Sequence, residues 1–83
     1  MNPLRSILNQ QKFTKGFSTT LIHVDIHGDS IGKIPGTEII DVNPNGFTVG
    51  DLEIPYHRVQ MVFDGDEIIY SKNLKWAGKY GDN

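Results

Sequence analysis

An α+β domain, with one N-terminal helix packed on a curved antiparallel meander of about five strands, open or closing part-way into a barrel, is the fold this sequence predicts. Three observations carry it. Leu4, Ile7 and Leu8 recur at helical spacing behind Asn2-Pro3, "TTLIHVDIHG" alternates strictly between apolar and polar, and "TEIIDVNPNGFTVGDLEIP" reads as two consecutive hairpins.

Asn2 followed by Pro3 has the character of an N-cap and a first helical residue, and the apolar stripe then supports a short helix from about Pro3 to Lys12. Gly16 in "FTKGFSTT" ends it. In the first strand Ile22, Val24 and Ile26 share one face, with Leu21, His23, Asp25 and His27 on the other. "GDSIGKIPG" reads as a glycine-rich loop, and "TEIIDV" opens the second strand. A four-residue loop over Asn43 to Gly46 sets Val42 opposite Phe47 and Ile40 opposite Val49. A two-residue turn at Gly50-Asp51 sets Val49 opposite Leu52 and Phe47 opposite Ile54. All these apolar residues fall on one side, with Asp41, Thr48 and Glu53 on the other. Val59, Met61 and Phe63 then alternate, and a tight turn near "DGD" brings Ile68 and Tyr70 to their face.

The apolar face uses even positions before Pro55 (Leu52, Ile54) and odd positions after it (Val59, Met61, Phe63). A regular strand cannot do both, so the phase slips within "PYHR". A β-bulge or a short loop achieves this and displays Tyr56, His57 and Arg58. The plainer reading of the same corner has Tyr56 as a packing aromatic and His57 bonded to backbone.

Length and composition narrow the function. Eighty-three residues make one small domain, residues 1–71 by pattern, followed by a flexible C-terminal tail, 72–83. There is no cysteine, which excludes disulfides and thiolate zinc sites. "MNPLRSILNQ" is neither a signal peptide nor a membrane span, so the expectation is a cytoplasmic protein with no membrane contact. Eight Lys and Arg against ten Asp and Glu, a formal charge of −2, exclude general basic attraction to nucleic acid, so any RNA contact is local.

Other patterns carry less. His23, Asp25 and His27 project from one strand face, but the outer two lie roughly 13 Å apart on a straight strand, too far to share an ion. A solvated face is expected there, with no metal. The tail interleaves Lys72, Lys75 and Lys79 with Trp76 and Tyr80, the composition either of a stacking platform or of a frayed end. His57 beside Arg58 suggests acid–base chemistry on phosphates, but no nucleophile, partner histidine or P-loop accompanies it. Recognition without turnover, and without a cofactor, is expected.

"NPLRSILNQQKF", the isoleucine of "GTEII", "IPYHRV" and "DGDEIIY" resemble, in order and spacing, the RNA cyclic-group end recognition domain, a small and mainly archaeal family. The resemblance covers residues 2 to 71. Its most specific element is Ile54-Pro55-x-His57-Arg58, supported by Pro3-x-Arg5. Members often carry tryptophan at the position of Phe13, another aromatic at Tyr70, and a basic residue in the loop after the first strand, where this chain offers His27 and then Lys33. The resemblance implies recognition of RNA 3′ ends bearing a 2′,3′-cyclic phosphate or related group, in the company of RNA-processing proteins. The chemistry fits the residues. A cyclic phosphate is a monoanion whose two exposed oxygens suit the Arg58 fork, with His57 donating a further hydrogen bond and Tyr56 donating its hydroxyl or stacking on the terminal base. Arg5 and the free N–H groups of the helix start add attraction for an anion, Arg5 being otherwise an ordinary exposed helical arginine. The alternatives are a protein-interaction or structural domain and, third, a metal-dependent phosphoesterase.

Overall fold

The computed structural model describes residues 3–25 and 31–72. Within them the order is α1 (Pro3–Lys15), β1 (Thr20–Asp25), β2 (Ile31–Pro35), β3 (Ile39–Val42), β4 (Gly46–Val49), β5 (Leu52–Pro55), β6 (Val59–Asp64) and β7 (Glu67–Ser71). The α+β class is as the sequence predicts, a helix on antiparallel strands. The strands divide between two sheets, ordered β2-β1-β6-β7 and β3-β4-β5, and among the described residues no closed barrel forms.

Helix α1 buries the expected stripe, with Leu4 and Leu8 almost without exposed surface and Ile7 packed beside them. It continues to Lys15, and Lys12 and Lys15 in its last turn suit the negative end of the helix. The chain leaves through Gly16 and Phe17, at φ 57° and 63°. A left-handed aromatic residue costs roughly 1–2 kcal/mol. Burial of the Phe17 ring, 6% exposed, offsets this by about 1.5–3 kcal/mol. One core joins Leu4 and Leu8 of the helix to Ile22, Val24, Val59 and Val62 of the larger sheet and to Ile39 and Phe47 of the smaller.

Four expectations change. The stretch read as a glycine-rich loop contains β2, whose Ile34 pairs with Ile22 and whose Lys33 pairs with His23. Gly32 and Pro35 obscure its alternation, and its order comes from pairing with β1. In the two hairpins Val42 pairs with Phe47, Phe47 with Ile54 and Val49 with Leu52, as expected. An irregularity between Ile39 and Asp41, however, sets Ile39 opposite Val49 and leaves Ile40 66% exposed. In β6, Val59 lies opposite Val24 and Met61 opposite His23, so Gln60 is the extra residue of a bulge. Val62 therefore enters the core opposite Ile22, while Met61 and Phe63 take the other face, where the Phe63 ring lies 4.8 Å from that of His23. A second irregularity, between Val62 and Phe63 in the pairing with β7, sets Tyr70 opposite Val62 and Ile68 opposite Phe63, so those two also part.

The phase slip after Ile54 is present, and a 3-10 turn makes it. Both β2 and β5 end in Ile-Pro, and each passes to the other sheet through one such turn, Gly36–Glu38 and Tyr56–Arg58. The two corners share a backbone. Pro35 lies at φ −64°, ψ 137° and Pro55 at −70°, 151°; Ile39 lies at −75°, 125° and Val59 at −74°, 126°. In each, the next strand's first N–H donates to the carbonyl of the turn's first residue, which is buried while the other two are exposed. At Gly36 a Cβ would lie 2.6 Å from Thr20 Cβ, so only glycine fits; at the other corner the same turn position carries the buried Tyr56.

Asp64 closes the far end of the larger sheet. It accepts hydrogen bonds from Lys15 Nζ at 2.5 Å and Thr19 Oγ1 at 2.5 Å. The bond from Lys15, then that from Thr19, holds its carboxyl below the ordinary aspartate value. A carboxylate with a depressed folded-state pKa contributes stability that is present above its unfolded pKa and lost as pH falls through the folded one. Thermal denaturation between pH 7 and pH 2 should thus show a smaller loss of Tm in Asp64→Asn than in wild type. Equal losses would place the acid sensitivity elsewhere.

Candidate functional site

In each sheet order one terminal strand, β2 or β5, borders the same cleft of about 620 Å³. Gly32, Lys33 and Ile34 of β2 form one wall, and Leu52, Glu53, Ile54 and Pro55 of β5 form the other. Val24 and Asp25 at the end of β1 line it too, and the 3-10 turn adds His57 and Arg58. The local sequence explains that display. Pro55 fixes the extended entry to the turn, Tyr56 turns inward as its anchor, and the next two side chains stay exposed.

Tyr56 is held firmly. It is 4% exposed, its hydroxyl donates to the Asn43 carbonyl at 2.5 Å, and its N–H donates to the Asn45 carbonyl at 3.2 Å. Asn43 in turn accepts from the N–H groups of Asn45 and Gly46, both at 2.9 Å, through Oδ1. The corner thus hangs on the β3–β4 turn. Burial pushes the Tyr56 phenol above its ordinary value, with the charge of Arg5 pulling the other way and that of Asp41 adding to the rise. With its ring in the core, Tyr56 offers no face for a base, and the packing reading of this residue holds.

The other residues named from sequence divide. Lys33, His57 and Arg58 come together at the cleft although Lys33 stands in β2, more than twenty positions before the turn in the chain. Arg5 does not line it; it is an exposed residue of α1 within electrostatic reach of Tyr56. Lys33 also sits beside His23, where burial first and the lysine charge second hold the imidazole below its usual value. Among the described residues no three His, Cys, Asp or Glu side chains converge to hold a metal ion. His27, Trp76 and Tyr80 lie outside the described residues.

Sequence reasoning did not single out Asp25 and Glu53 as cleft residues, nor Lys72 as a neighbour of the turn. Lys72, assigned by pattern to the tail, is bonded to the domain, its N–H to the Gln60 carbonyl at 2.9 Å and its ammonium to the His57 carbonyl at 2.5 Å. No motif links these residues. The meeting of two sheet edges brings them together, and the signal available in sequence was only their charge.

Chemically, the cleft offers an arginine fork, an imidazole and an ammonium above walls of Val24, Ile34, Leu52, Ile54 and Pro55. These donors are chemically suited to a small anion attached to an apolar or aromatic group, and the carboxylates of Asp25 and Glu53 stand in the same lining. Comparison of the chain with known protein families, curated proteins and solved structures finds no match.

Proposed function

We propose that the cleft binds the 3′ end of RNA, taking a terminal 2′,3′-cyclic phosphate or related group. The observation that carries this reading is the convergence of Lys33, on the outer strand β2 of the larger sheet, with His57 and Arg58, on the 3-10 turn that joins β5 to β6. The resemblance of "IPYHRV" to the end-recognition domain supports it further. Arg58 meets the two exposed phosphate oxygens with its fork, His57 and Lys33 donate from either side, and the terminal base lies on the apolar walls in place of Tyr56. Binding is without turnover, in a protein that works beside RNA-processing proteins.

The test is a titration of the full chain with short RNAs that differ only in their 3′ terminus. Cyclic-phosphate ends should bind at least tenfold more tightly than 3′-hydroxyl ends, since charge-assisted hydrogen bonds contribute about 1.5–3 kcal/mol. Equal affinity for both ends, or none for either, would sink this reading and leave a protein-interaction domain as the alternative.

A further inference from the structure

Among the described residues, four charged ones line the cleft, and they are of both signs. Lys33 and Arg58 stand against Asp25 and Glu53. Lys72 adds a third positive charge beside the turn, through its bond to the His57 carbonyl. Among the described lining residues the two carboxylates balance the lysine and the arginine, and Lys72 lies outside the lining. Resting on the reading above, we infer that Glu53 and Asp25 make this a site for monoanionic phosphodiester ends, cyclic or not, that discriminates against the dianionic phosphomonoester.

Two opposing dependences decide this. Attraction to the site grows in proportion to the ligand's charge, whereas the cost of taking that charge out of water grows with its square. In a cleft walled by Ile34, Ile54 and Pro55 the second dependence is strong. A site rich in positive charge would still favour the monoester, which carries about −1.5 to −2 at pH 7. Here the carboxylates cancel most of the attraction, so the added negative charge meets repulsion from Glu53 and Asp25 and an undiminished desolvation cost.

The experiment uses one RNA sequence with four 3′ ends: 2′,3′-cyclic phosphate, 3′-methyl phosphate, 3′-phosphate and 3′-hydroxyl. The methyl ester is a monoanion without the ring, so it separates charge from shape. Wild-type protein should bind the cyclic and methyl ends within about twofold of each other and the 3′-phosphate about fivefold more weakly, the effect of one like charge several ångströms away in a partly aqueous site. Glu53→Gln should bring the 3′-phosphate to within about twofold of the cyclic end, and Asp25→Asn should act in the same direction. A monoester bound as tightly as the cyclic end by wild type would overturn the inference. So would a methyl ester bound no better than the hydroxyl, or a preference left unchanged by both substitutions. If no phosphate end binds better than the hydroxyl, the end-recognition reading itself has failed, a different result from loss of charge selection alone.

Discussion

Arg58→Ala is expected to weaken binding of cyclic-phosphate RNA by roughly tenfold to a hundredfold, with little change for the same RNA ending in a 3′-hydroxyl. The range follows from the ~1.5–3 kcal/mol typical of a charged hydrogen-bonding group. Arg58 is exposed at the end of the 3-10 turn, so its removal leaves no buried group unpaired. Arg58→Lys should recover only part of the affinity, because an ammonium keeps the charge without the planar fork. Folding is the control. About 1 kcal/mol moves the midpoint of a domain this small by ~4–8 °C, so a variant within a few degrees of wild type has lost binding and not structure. An unaltered difference between the two RNA ends in Arg58→Ala would remove Arg58 from the site.

The largest effect on stability should come from Gly46→Ala. Gly46 opens β4 opposite Pro55, and a Cβ there would lie 2.1 Å from the Ile54 carbonyl oxygen and 2.9 Å from Pro55 Cα. These are backbone atoms that cannot rotate away. To admit a methyl group the β4–β5 ladder must open where Tyr56 is bonded to Asn43 and Asn45. Overpacking of this kind costs about 3 kcal/mol, which would lower Tm by on the order of 12–24 °C. Gly50→Ala is the comparison, since nothing lies within 4 Å of its Cβ position and only its φ of 60° opposes the change, at roughly 1–2 kcal/mol. Similar shifts in the two variants would show that the approach at Gly46 is loose. Because displacement of Pro55 also moves His57 and Arg58, any Gly46→Ala protein that remains folded should bind RNA ends more weakly.

Much of this architecture is legible in the residues. Periodicity in Leu4, Ile7 and Leu8 marks α1, alternation about Ile22 and Val24 marks β1, and turn chemistry fixes the pairing of Val42 with Phe47 and of Phe47 with Ile54. The change of parity across Pro55 marks the corner. Bulges are the physical limit of such reading. Apolar residues occupy both parities in Val59, Met61, Val62 and Phe63, so nothing in the string reveals that Gln60 is extra and that Val62 goes inward. Ile39 and Ile40 are chemically identical, and only the irregularity before Asp41 decides which is buried. β2 escapes notice because glycine, lysine and proline take three of its five places. As for the cleft, His57 and Arg58 announce themselves beside Pro55, and Glu53 stands in the strand that leads to them, whereas Asp25 becomes their neighbour only when the two sheets meet.

The duplicated corner serves as an internal control on what its residues are for. Gly36-Thr37-Glu38 and Tyr56-His57-Arg58 trace the same path between the same flanking Ile-Pro and β-branched residues. The first of them needs neither an imidazole nor a guanidinium to do so. Backbone geometry therefore places no demand on the second and third residues of this turn, where threonine and glutamate serve as well as histidine and arginine. Only the buried first position is constrained, to no side chain in one copy and to a phenol in the other. The choice of His57 and Arg58 is thus free of the scaffold, and at the second corner residues with opposite charge stand on the same support.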